Sequence, residues 1–161
     1  NCAGLQGCVA LKQRTGEPWK SAPDYARELS AQSGGLSINL LVADVARAVA
    51  FQRDVLGAAV AYADADFAAL EGFGAKWCVH ADHTYDNHPL SGFVKGLKGR
   101  GPGVEIRLRG CDPDAAEGRA RALGYVVLAA AMDKPHGLRE AYMLDADGYC
   151  WVPDILLTSD A

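Results

Sequence analysis

The apolar positions of this chain fall into two patterns that return in the same order. From Leu36 to Val42 apolar and polar residues largely alternate, the period of a half-buried strand. Asp44 then supplies a side-chain cap, and Val45, Ala48, Val49, Val55 and Leu56 follow at helical spacing until Gly57 stops the run. The succession returns at Val104 to Arg109, then Asp112 as cap, Pro113 in the first helical turn, Ala115, Ala122 and Leu123, and Gly124 as the stop. The copies are offset by 68 residues at the caps and 67 at the stops, which marks an internal repeat. Three short strand patterns follow each helix, at about 59–63, 66–71 and 75–81, and again at about 125–130, 138–144 and 149–153. Asp147-Gly148 predicts a tight turn between the last two. Each unit therefore reads β-α-β-β-β, with units at about 36–82 and 103–157 and a polar, glycine-rich connection from His83 to Gly103. Residues 1–35 read as an N-terminal extension with one helix, capped near Ser21 and ending at Gly34-Gly35.

Composition narrows what such a chain can do. With 161 residues, half of them hydrophobic, it can bury a core of its own. No stretch of about 18 apolar residues exists, so no membrane-spanning helix is predicted. A net charge of −4 has the wrong sign for a general nucleic-acid binder. The five cysteines, at 2, 8, 78, 111 and 150, are odd in number and form no CxxC pair. That pattern predicts reduced thiols and a cytoplasmic protein. No GxSxG elbow and no GxGxxG after a strand is present, which leaves nucleophilic-serine and dinucleotide chemistry without support.

Three stretches carry a resemblance. "INLLVADVARAVAFQRDVLGA" (38–58), "VEIRLRGCDPDAAEGRARALGY" (104–125) and "GLREAYMLDADGYCWVPD" (137–154) resemble the strand-helix-stop segments and the closing hairpin of the vicinal oxygen chelate superfamily. That superfamily holds glyoxalase I, bleomycin-resistance proteins, fosfomycin-modifying enzymes and extradiol dioxygenases. The resemblance spans about 36–157. It implies an α+β fold in which two βαβββ units form a cup-shaped mixed sheet, and a homodimer whose cavities can be shared. Metal-dependent members place ligands at the start of each unit's first strand and on each unit's last strand. The repeat puts those four points at Ser37, Cys78, Glu105 and Val152. Only Glu105 is a good hard-metal donor, so the resemblance predicts a dismantled metal site with no cofactor favoured, although a divalent metal remains an option.

Other residues offer chemistry of their own. "HADHTYDNH" (80–88) brings together His80, His83 and His88 with Asp82 and Asp86; it reads either as a relocated metal centre of His80, His83 and Glu105 or as a polar loop. Glu105, Arg107 and Arg109 alternate on one strand and share a face, suited to anion recognition or to mutual neutralisation. Glu140 and Tyr142 share a face, with Arg139 on the other; Glu105, Glu140 and Tyr142 are the candidates for acid–base work. His136 reads as a turn residue or a lid contact. Trp77, Trp151, Tyr62, Phe67 and Tyr149 read as ligand-stacking or as core aromatics. Lys95, Lys98 and Arg100 sit in the glycine-rich connection, read as a solvated linker.

Three functional readings follow. The first is a binding protein that holds a small aromatic or anionic molecule through Ser37, Asn39, Cys78, His80, Glu105, Arg107 and Arg109, without metal. The second is a metal-dependent lyase, isomerase or dioxygenase centred near His80. A structural or regulatory module is the third, recognisable by a cup filled with its own side chains.

Overall fold

The computed structural model describes residues 36–94 and 96–158; the helix expected within residues 1–35 lies outside them. Unit 1 comprises β1 (Asn39–Val42), α1 (Val45–Asp54), β2 (Ala59–Ala63), β3 (Phe67–Gly72) and β4 (Ala75–Ala81). The connection contains a 3-10 turn (Asp82–Tyr85) and a one-turn helix α2 (Ser91–Val94), which the polar composition concealed. Unit 2 comprises β5 (Glu105–Arg109), α3 (Pro113–Ala122), β6 (Val126–Asp133), β7 (Leu138–Leu144) and β8 (Cys150–Leu156). The sheets run β1-β4-β3-β2 and β5-β8-β7-β6. In each, the first strand lies parallel to the last and the other pairings are antiparallel. This is the βαβββ repeat in both halves.

The predicted caps form. Asp44 accepts from the Arg47 amide at 2.8 Å, and Asp112 from the amides of Asp114 and Ala115 at 3.0 and 3.1 Å. The strand ends differ from expectation. β1 begins three residues late, because Leu36 is 91% exposed and pairs with nothing in the sheet. β6 and β8 each extend three residues further, since the bulged β6–β7 ladder and the antiparallel β7–β8 ladder continue past the apolar run.

One core serves both units. Leu40, Val42, Val79 and Leu70 from the first sheet join Ile106, Leu108, Met143 and Trp151 from the second, with both helices. Phe51 of α1 sits at the centre, with Tyr125 at 4.8 Å and Trp151 at 6.4 Å between ring centroids. Trp77 and Trp151 meet at 5.9 Å. These two tryptophans are therefore core residues, each with its indole N–H satisfied: Trp77 donates to Gln52 at 2.6 Å and Trp151 to Asp145 at 2.9 Å. The helix-bearing faces of the two sheets thus meet, and the opposite faces are turned away from the shared core.

Arg100 fastens the connection to both units. Its guanidinium, 4% exposed, donates to both Asp82 carboxylate oxygens and to the Leu41 carbonyl at 3.0 Å, and lies 3.6 Å from Asp147. Asp147 in turn accepts from the Ala43 amide at 2.9 Å, and the Tyr149 hydroxyl donates to the Leu41 carbonyl at 2.9 Å. Backbone meets backbone here: a Cβ at Gly101 would sit 2.9 Å from the Gly148 carbonyl and from the Tyr149 Cα. Gly148 also holds φ +85°, which a side chain would strain. The segment read as a solvated linker is a structural clasp at Arg100.

Replacing Arg100 with Met strands Asp82 and Asp147. We expect a loss of about 3 kcal/mol, the low end for breaking a buried ion pair because Asp82 is partly exposed. A lower urea midpoint with unchanged far-ultraviolet circular dichroism is the expected reading, and an unchanged midpoint would show the clasp to be dispensable.

Candidate functional site

Alternation along β5 and β8 gives unit 2 an outer face of its own. Ile106 and Leu108 point into the core, so Glu105, Arg107 and Arg109 point away from it. The ladder sets Cys150, Val152 and Asp154 beside these three in turn. Glu140 of β7 lies opposite Asp154, and Tyr142 follows on the same face. The face therefore gathers Glu105, Arg107, Glu140, Tyr142 and Asp154.

Arg107 is the hub. It donates to Glu140, to Asp154 at 3.2 Å and to Glu105 at 3.2 Å. Burial alone would lower its pKa, but hydrogen bonding to Glu140 and the charges around it raise it instead. Glu140 is 1% exposed. Burial pushes its carboxyl up; the Tyr142 hydroxyl, donating at 2.5 Å, and the Arg107 guanidinium outweigh this and hold it below the usual range. Tyr142 is held up by the same bond and stays a donor. Lys134 approaches Glu140 at 3.7 Å and stands 5.1 Å above the Tyr142 ring, and His136 reaches Glu140 at 3.7 Å. Glu140 is thus a buried anchor whose oxygens are engaged by Arg107 and Tyr142. Arg109 is exposed and makes no ion pair among the described residues.

Beside this cluster lies an open cleft of about 690 Å³, a size within the range of about 300–1,000 Å³ usual for small-molecule sites. Leu128, Leu144 and Cys150 give it an apolar floor, and Val104, Glu105 and, from the connection, Lys98, Gly99 and Gly101 to Gly103 also line it. Leu128 is 58% exposed, and Val126 and Met132 on the same edge strand are exposed too. Burial, with Glu105 and Asp145 nearby, raises the Cys150 thiol, so it lines the cleft as a thiol.

Unit 1's outer face differs. Tyr62, Phe67, Ala69 and Cys78 form a second apolar cluster there, each 5% exposed or less. His80 lies against Phe67 at 4.8 Å and Tyr85 at 5.4 Å between ring centroids, and Tyr85 meets His88 at 4.5 Å with the rings tilted. Burial lowers the His80 pKa and favours the neutral imidazole. His83 pairs with Asp66 at 2.8 Å.

The expected residues therefore separate into two groups. Glu105, Arg107, Glu140 and Tyr142 come together on unit 2, with Arg109 at the far end of that strand. Asn39, Cys78 and His80 sit on unit 1, with Asn39 beside Cys78 in the ladder, while Ser37 is exposed ahead of β1. Alternation would have disclosed Asp154 had it been followed two residues past Val152. Lys134, Tyr85 and the cleft floor carried no comparable signal, because they arrive through hairpin geometry and the folded connection.

The donor set does not suit the metal centre the resemblance implies. Val152 is fully buried and has no donor, Ser37 is exposed, burial raises the Cys78 thiol inside its apolar cluster, and Glu105 is paired with Arg107. For the relocated centre, His80 is bracketed by rings and His83 is on Asp66. Among the described residues no three His, Cys, Asp or Glu side chains are grouped to hold a metal ion. No helix among them is long and apolar enough to cross a membrane.

The Glu140 geometry makes a pH prediction. Its pKa is depressed in the fold, so its contribution to stability is present above the unfolded value of about 4.3 and is lost as pH falls through the folded value. Glu140→Gln should flatten that acid limb and lower stability at neutral pH by about 1–3 kcal/mol, as Arg107 loses its most buried partner. Parallel acid limbs in denaturation of the two proteins would contradict it.

No family model matches the sequence, and no curated protein does. Solved structures do match. A glyoxalase/bleomycin resistance protein/dioxygenase family enzyme from Burkholderia phytofirmans is 17% identical, covering 75% of this chain and 97% of that one, with a TM-score of 0.62. A lactoylglutathione lyase from Agrobacterium tumefaciens is 20% identical over 76% of this chain and 93% of its own, with a TM-score of 0.56. A fosfomycin resistance protein from Listeria monocytogenes is 20% identical over the same shares, with a TM-score of 0.54. Two βαβββ units, their strand order and these matches together give the chain the fold of the vicinal oxygen chelate superfamily, that of the glyoxalase, bleomycin-resistance and dioxygenase proteins.

Proposed function

We propose that this chain is a small-molecule-binding protein that works without a metal and holds an apolar or aromatic ligand in the cleft over unit 2. The observation that carries this reading is the cleft itself: an apolar floor of Leu128, Leu144 and Cys150 left open beside a fixed ionic cluster. Unit 1's outer face is largely filled by its own aromatic side chains, whereas unit 2's is not, which argues against a purely structural module. Arg107 is committed to three carboxylates, so the anionic half of the sequence expectation rests on Lys98, which lines the cleft. The ungrouped donors speak against the metal-dependent alternative. Fold alone does not choose a chemistry, since one scaffold hosts many.

A homodimer fits this reading. Val126, Leu128 and Met132 form an exposed apolar row on the edge strand β6, and a second copy covering it would deepen the cleft. Free thiols at Cys78, Cys111 and Cys150 suit a reducing compartment such as the cytoplasm.

The metal-stripped protein should bind the aromatic probe anilinonaphthalene sulfonate with the same affinity with and without chelator. Leu128→Asp should weaken that binding about tenfold, a cost of about 1.4 kcal/mol. Binding that chelator abolishes, or stoichiometric zinc, iron, manganese or nickel retained after dialysis, would turn the choice to the enzyme.

A further inference from the structure

The lining of the cleft carries two opposite charges that are not spent on each other. Glu105 stands at the start of β5 with its side chain half exposed. One of its oxygens accepts from Arg107 at 3.2 Å, and the other has no hydrogen-bond partner among the described residues. Arg107 cannot neutralise Glu105 fully, because Glu140 and Asp154 claim the same guanidinium and are themselves 1% and 2% exposed. Arg109 is four residues along the strand, about 13 Å away at roughly 3.3 Å per residue, so it leaves Glu105 uncovered. Lys98, from the connection, also lines the cleft; it is exposed and makes no ion pair among the described residues, with Glu105 or any other carboxylate. The same cleft presents the apolar surface of Leu128 and Leu144.

Charge placement of this kind selects a ligand. A pure anion would meet Lys98 but face Glu105, and a pure cation the reverse. We infer that the cleft takes an amino-acid-like zwitterion: an apolar or aromatic body on Leu128 and Leu144, an ammonium toward Glu105 and a carboxylate toward Lys98. The connection is held for this by backbone contact. Gly101 packs on the Gly148–Tyr149 turn and Arg100 is clasped, so Lys98 hangs from a fixed support two residues away. This inference rests on the binding reading above and specifies its ligand class.

Titration calorimetry at pH 7 with four probes of matched apolar body tests it: L-phenylalanine, phenethylamine, 3-phenylpropanoate and 2-phenylethanol. Phenylalanine should bind most tightly, about fivefold better than either singly charged probe, as expected for partly exposed ion pairs. Glu105→Gln should weaken phenylalanine and phenethylamine by that factor and leave 3-phenylpropanoate and 2-phenylethanol unmoved. Lys98→Met should weaken phenylalanine and 3-phenylpropanoate and leave the other two unmoved. Equal binding of all four probes, or variants that shift every probe alike, overturns the zwitterion while leaving the binding cleft standing. Failure of all four to bind removes both.

Discussion

Everything in this molecule depends on two sheets sharing one interior. Neither βαβββ unit has enough apolar surface on a ten-residue helix and four strands to stand as a robust domain. Packed on each other they bury Phe51, Trp77 and Trp151 at a common centre. Two large indoles in a core demand acceptors for their N–H groups, and the fold supplies Gln52 and Asp145 from within it. Asp145 also accepts from the amides of Asp147 and Tyr149, so the same carboxylate that satisfies Trp151 shapes the turn before β8. Burial raises its pKa while these bonds pull the other way. The core and the turn that carries the cleft's rim are therefore one piece.

From that piece the site follows by alternation. Fixing Ile106, Leu108 and Trp151 inward fixes Glu105, Arg107 and Asp154 outward, since neighbouring side chains on a strand take opposite faces. The buried carboxylates Glu140 and Asp154 need partners, and Arg107 serves both along with the half-exposed Glu105. A cluster so fully cross-linked is a rigid wall. What stays free is at its margin, where β5 begins and the connection passes.

Much of this was legible in the sequence. Asp44 and Asp112, Gly57 and Gly124 and the 68-residue offset sufficed for two units, because caps and stops are local chemistry. Strand period alone put Glu105 with Arg107 on one strand and Glu140 with Tyr142 on another; that the two pairs share a sheet face came from the ladder. The fate of Arg107 did not: whether a guanidinium meets ligand or neighbours depends on how β7 and β8 pair, which no spacing records. Arg100 was hidden for the same reason. In a run of glycines and lysines it read as solvated, yet its partners Leu41, Asp82 and Asp147 lie 59, 18 and 47 residues away in sequence. The tryptophans were ambiguous between core and cleft until the facing sheet was in place.

The two halves of the repeat have also parted company. Where unit 2 has Glu140, Tyr142 and Val152, ladder for ladder, unit 1 has Phe67, Ala69 and Cys78, and those residues fill the hollow they once would have lined. A doubled scaffold thus leaves one outer face open and the other filled. Mutational tolerance should split along the same line: a polar residue among Tyr62, Phe67, Ala69 and Cys78 threatens the fold, whereas the same change at exposed Leu128 leaves it standing.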